Sequence, residues 1–175
     1  MYMYQVGDTV LYGAEGVCVV EDITTKDFGG EVREYYVLKP VHQDGATFYL
    51  PTCSPAAREK LRKVLSAGQI YELIRTMPDE TPVWIDDENE RKLKCKEIIQ
   101  SGDRLKLIRL IKALYLHREE LKGEGKKFHI SDERFMKDAE KLLYDEFAHV
   151  LSISPEQVLP FIMEQVKLEE KRREG

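Results

Sequence analysis

No run of about 18 apolar residues occurs anywhere in the 175-residue chain, so nothing in it reads as a membrane span. The opening, Met1-Tyr2-Met3-Tyr4-Gln5-Val6-Gly7-Asp8, lacks the basic start and apolar core of a secretory signal. Three cysteines, Cys18, Cys53 and Cys95, have no close pair and make no disulfide framework, which fits a reducing cytosol. The four histidines, His42, His117, His129 and His149, are scattered, with no partner at metal-ligand spacing. Gly13-Ala14-Glu15-Gly16 fits neither a dinucleotide fingerprint nor a Walker loop and reads as a turn. Glu119-Glu120 sits among lysines at a helix end, where a solvated charge cluster is expected. Nucleophile, metal cluster and phosphate cradle are all wanting, so the chain is expected not to be an enzyme and to need no cofactor.

What the chain does hold is charge, unevenly spread. The net charge is −5, with 34% charged and 42% hydrophobic residues. Residues 1–83 hold 8 Lys+Arg against 12 Asp+Glu, whereas residues 91–137 hold 14 against 7. A phosphate backbone feels local charge, because screening acts within about 8–10 Å at cellular salt. In the basic block, Lys106, Arg109 and Lys112 recur every three residues along one helix flank. Arg91, Lys92, Lys94 and Lys96 crowd the preceding helix, and Lys122, Lys126 and Lys127 follow. Either this is a surface that displaces counterions from DNA or it is a solvated helical face. Nothing in it resembles a recognition helix.

Two patterns of periodicity divide the chain. Up to residue 51 it reads as short strands broken by turns, with Lys26-Asp27-Phe28-Gly29-Gly30 and Gln43-Asp44-Gly45 the strongest turn signals. Glu34–Lys39 and Thr47–Leu50 are strands, each closed by a proline. Leu61–Leu65 is either a fifth strand or the end of a helix begun after Pro55, and Ser66 can cap a short helix from Ala67 to Arg75. Met77-Pro78-Asp79-Glu80-Thr81-Pro82 reads as a linker. Beyond it the period is helical: Asp87 to Gln100, Arg104 to Glu120, a third helix capped by Ser131, and a fourth opened by the capping box Ser154-Pro155-Glu156-Gln157. The charged end, Lys167 to Gly175, is expected to fray. The fold class is therefore α+β in two domains. Residues 1–76 read as a small twisted sheet or open barrel, 77–83 as a linker, and 84–170 as a compact bundle of about four to five helices.

Trp84, the single tryptophan, lies where the linker meets the first long helix. Its indole is either a wedge for a minor groove or an aromatic lid on the bundle.

Val6-Gly7-Asp8-Thr9-Val10, then Gly16-Val17, then Glu34-Tyr35-Tyr36-Val37-Leu38-Lys39 resemble the RNA polymerase-interacting domain of the CarD/CdnL family. A similar domain occurs in transcription-repair coupling factors, but this chain is too short for their motor. Ser101-Gly102-Asp103 before a Leu/Ile-rich helix, and Ser131-Asp132-Glu133 before Ala139-Glu140-Lys141-Leu142-Leu143, resemble the family's helical DNA-binding domain. The resemblance implies a Tudor-like bent sheet that binds the β-subunit lobe of bacterial RNA polymerase through an exposed strand edge. Thr24, Thr25, Lys26, Phe28, Thr47 and Tyr49 match the contacting region, Tyr49 falling where some members carry arginine. It also implies weak contact with promoter DNA, through backbone and minor groove, by Trp84, Arg91, Lys92, Lys94, Lys106, Arg109, Lys112, Lys126 and Lys127. Family members carry a minor-groove tryptophan at the place of Glu88, and Trp84 lies one helical turn earlier. The implied protein is a cytoplasmic, monomeric transcription regulator that stabilises the open promoter complex. The alternative is a polymerase-bound adaptor whose helical domain binds another protein.

Overall fold

The computed structural model describes residues 2–175. They fall into two compact units that divide between Val64 and Leu65.

The N-terminal unit is a five-stranded, wholly antiparallel sheet. Strands β1 (Thr9–Tyr12), β2 (Val17–Phe28), β3 (Glu31–Pro40), β4 (Phe48–Pro51) and β5 (Leu61–Lys63) lie in the order β4-β3-β2-β1-β5. The register of β2 on β3 passes from Val20↔Leu38 to Asp22↔Val37, so Glu21 is an extra residue. Such a bulge bends the strand and sharpens its twist. The ambiguity at residues 55–65 resolves as both alternatives in turn: a helix α1 (Pro55–Lys60), capped by Ser54, runs straight into β5. The core gathers Val10, Cys18, Val20, Tyr36, Leu38, Leu50, Ala57 and Leu61 with Tyr4. Its two tyrosine hydroxyls are satisfied: that of Tyr36 accepts from Met3 N at 3.1 Å, and that of Tyr4 donates to Leu61 O at 3.2 Å. Buried phenols need such partners.

The C-terminal unit contains α2 (Ala67–Thr76), a 3-10 turn at Met77–Asp79, α3 (Glu88–Ser101), α4 (Arg104–Gly123), α5 (Ile130–Leu151) and α6 (Pro155–Glu174). Helix α5 packs against α2, α3, α4 and α6. Ile70, Ile74, Ile108, Leu143, Phe147, Ala148, Val158 and Ile162 make the core. Ser66 and Gln69 exchange the two bonds of a capping box at α2, and Ser154 N donates to Gln157 Oε1 at α6.

Four expectations need correction. The boundary falls after Val64 rather than at 77–83, because Ile70 and Ile74 of α2 are buried in the helical core. The proline-bearing stretch is packed rather than a free linker: Lys112 Nζ donates to the carbonyls of Met77, Pro78 and Glu80 at 3.3, 3.1 and 2.7 Å. The third long helix starts one residue before Ser131, with His129 at its N-cap. The charged C-terminal end does not fray. It stays helical to Glu174, where Arg173 forks onto Asp79 at 2.8 and 2.9 Å.

Candidate functional site

Each unit carries one surface built from residues singled out in the sequence. In the N-terminal unit it is the far end of the β2–β3 hairpin. β1 covers β2 only as far as Val20, whose N–H and C=O bond Asp8 O and Gly7 N. β4 covers β3 only from Tyr35 onward. The hairpin therefore runs on as a two-stranded ribbon, closed by Gly29 and Gly30 at φ 73° and 88° between the paired Phe28 and Glu31. Two consecutive positive φ values are what a two-residue turn matching strand twist requires.

The ribbon's open edge can be read from the ladder. Glu34 O accepts from Thr52 N, so Glu34 faces β4 and its neighbours Arg33 and Tyr35 face β2. Their partners Lys26 and Thr24 are thus spent within the ribbon, and Thr25 between them turns its N–H and C=O outward. On one face of this ribbon Thr24, Lys26 and Phe28 lie beside Arg33 and Tyr35. Phe28, Tyr35 and Tyr49 form an edge-to-face cluster, with ring centroids 5.1, 5.5 and 6.4 Å apart. Phe28 and Tyr49 remain exposed on it. Thr24, Lys26, Phe28 and Tyr49 therefore share one face with the Thr25 backbone at its edge, whereas Thr47 lies just before β4, which starts a residue later than expected. Tyr35, on the face opposite the core residue Tyr36, was not counted among the contact candidates and is itself buried against Phe28 and Tyr49.

In the C-terminal unit the surface is a pit of about 260 Å³ beside Trp84. Its apolar lining includes Cys95, Ile98, Leu110 and Ala113, and Lys94, Lys106 and Arg109 reach it as well. No acidic residue lines it. Trp84 stacks on His117, centroids 3.8 Å apart and planes 17° from parallel, and the Arg91 guanidinium lies 4.5 Å from the indole centroid. The indole is thereby held as part of the unit rather than projecting freely. Burial pushes the Cys95 thiol up to about 11, with the Asp132 carboxylate adding to the shift, so it stays protonated and serves as lining.

Five of the nine DNA candidates, Trp84, Arg91, Lys94, Lys106 and Arg109, thus meet at one place. Two candidates leave the set. Arg91 is buried, forks onto the fully buried Asp132 at 3.0 and 3.0 Å, and donates to Ile85 O and Asp86 O. Lys112 is occupied by the three carbonyls after α2. Their charges hold the fold and are not available to a phosphate. Lys92 pairs with Glu88 and Lys126 with Glu124, and Lys127 is exposed. His117, Ile98, Leu110 and Ala113 were missed, yet spacing could have found the three on α4: Lys106, Leu110, Ala113 and His117 recur at three and four.

Among the described residues no group of three or more His, Cys, Asp or Glu is placed to hold a metal ion. Among them, too, no helix is long and apolar enough to cross a membrane.

Residues 4–65 match the CarD-like/TRCF RID domain family, a span that ends within a residue of the structural boundary. Over 161 residues the chain is 22% identical to a Bacillus subtilis (strain 168) protein named "Putative transcription factor YdeB". That alignment covers 91% of this chain and 99% of the relative, so the likeness runs through both units.

Proposed function

Since its N-terminal unit belongs to the CarD-like/TRCF RID domain family, we propose that this chain is a non-enzymatic transcription regulator that docks on RNA polymerase. The contact is made to the β-subunit lobe by the open edge of the β2–β3 ribbon. The basic face of the helical unit then touches upstream promoter DNA and prolongs the open complex. A transcription-related role is common ground to the family and the B. subtilis relative.

The observation that carries the reading is the free backbone at Thr25, flanked by Lys26 and the exposed aromatic pair Phe28 and Tyr49. An unpaired edge accepts a strand from another protein through main-chain hydrogen bonds, and the neighbouring side chains select which strand. Tethering to polymerase raises the effective DNA concentration to about the millimolar scale, so a modest basic surface suffices.

The test is Thr25→Pro in the full chain. Because the Thr25 N–H faces outward, proline removes no bond inside the ribbon, but it removes one donor from any added strand. Capture of purified polymerase is expected to be lost while circular dichroism and melting are unchanged. Undiminished capture would overturn the edge contact. Should the helical unit instead bind a protein, its interaction would persist at salt concentrations that abolish phosphate contacts.

A further inference from the structure

The pit beside Trp84 is small, preformed and one-signed in charge. At about 260 Å³ it falls just below the range of about 300–1,000 Å³ usual for small-molecule sites. That volume suits one ring system rather than a chain or a helix face. Its inner lining is apolar, from Cys95, Ile98, Leu110 and Ala113. Its polar lining is cationic throughout, and two of those cations can serve an incoming anion. Lys106 is exposed, and Lys94 shares only a 3.5 Å contact with Glu97. Arg109 is held by Glu80 at 2.7 Å, and Arg91 by Asp132. The Trp84 wall is fixed on both neighbours, His117 and Arg91, so little reorganisation is needed on binding. An apolar recess beside exposed cations suits a flat ring joined to a phosphate.

We propose that this pit takes one unstacked nucleotide, its base on the Ile98–Leu110–Ala113 lining and its phosphate at Lys94 and Lys106. A base inside a duplex cannot reach such a recess without leaving its stack, whereas a base in a single strand is already unstacked. The helical unit therefore prefers single-stranded to paired DNA, and the preference comes from burial of a base beside a cationic rim. This rests on the DNA contact proposed above and gives it a substrate form: the melted strand.

The full chain is titrated with an oligodeoxythymidine of about eight nucleotides, within the usual range for single-strand sites. Parallel titrations use the same length as duplex, the same strand with abasic sites, and thymidine monophosphate. Trp84, the single tryptophan, reports occupancy by its fluorescence. The single strand is expected to bind at least about tenfold more tightly than the duplex and to change the Trp84 signal. Abasic strands and Lys94→Ala/Lys106→Ala protein are expected to lose that advantage; both lysines are exposed, so folding is preserved. Ala113→Leu, which fills the recess, tests the base and not the phosphate. A signal from thymidine monophosphate alone supports the nucleotide site and marks its source as free nucleotide. Equal binding of intact, abasic and duplex DNA overturns the pit while leaving the DNA contact standing. No binding to any nucleic acid overturns both.

Discussion

Arg91 brings a positive charge to a position that is only 6% exposed, facing an Asp132 that is fully buried. Desolvating both ions is costly, and the pair is tolerable because every fork of the guanidinium finds an acceptor: two carboxylate oxygens and two carbonyls. Removing one partner leaves the other charge buried alone. Arg91→Ala is therefore expected to destabilise the helical unit by about 3–5 kcal/mol. Arg91→Lys should recover little, since an ammonium cannot reproduce the planar fork. Urea unfolding of both variants checks this. A loss within the range usual for exposed substitutions, about 0.5 kcal/mol, would return Arg91 to the set of free cations. The sequence displayed Arg91 as one basic residue in a basic block. Its partner lies 41 residues away, and no local pattern marks Asp132 as buried.

At the scale of elements, two features carry predictions. The first is the hairpin turn. Gly30 has φ 88°, and a Cβ added there would meet nothing within 4 Å. Gly30→Ala thus tests backbone conformation alone, at about 1–2 kcal/mol for a left-handed residue. The expected result is weaker polymerase capture from a distorted ribbon, with the thermal transition of the helical unit unmoved. The second is the C-terminal end of α6. Arg173 donates to Asp79 and Arg172 to Glu169, and these bonds hold both carboxyls below their ordinary values of 3.8 and 4.5. The folded state then binds protons less readily than the unfolded chain. The stability they confer is present above those ordinary values and lost as pH falls through the lower folded ones. Melting temperature should fall as pH drops below those ordinary values and on through the lower folded ones, and fall less steeply in Arg173→Gln. Parallel pH profiles for the two proteins would remove α6 from the acid response. None of this is legible in the sequence, because a run of charges ending a helix looks frayed until a distant acid is shown beside it.

For the whole molecule the decisive feature is where one core stops and the other begins. Ile70 and Ile74 are 0% and 1% exposed within the helical unit, and Leu65 N donates to Glu146 Oε2 at 3.0 Å in the same unit. A fragment starting at residue 65 is expected to melt cooperatively near the temperature of that unit in the full chain. A fragment starting at residue 77 lacks both isoleucines, each worth about 2–5 kcal/mol when truncated in a core, and is expected to be molten or aggregated. Equal stability of the two fragments would restore the boundary at 77–83.

Much was legible without coordinates, and for one reason. Strand alternation, helical spacing, the Ser66 and Ser154 boxes and the glycine turns act over a few residues, so the order of strands then helices follows from the sequence itself. The same holds for the basic excess of 91–137 and for the family likeness. Three matters were decided only by tertiary structure. Proline-rich residues 77–82 are a packed segment, because Lys112, from a helix 30 residues on, satisfies their carbonyls. Of the cations, Arg91 and Lys112 are bound inside the fold while Lys94 and Lys106 stay exposed at the rim of the pit. Trp84 becomes the wall of a pit, because His117 and Arg91 fold onto it. Composition counts charges and rings, but whether a given one faces water, a buried acid or a recess depends on pairings made across the chain.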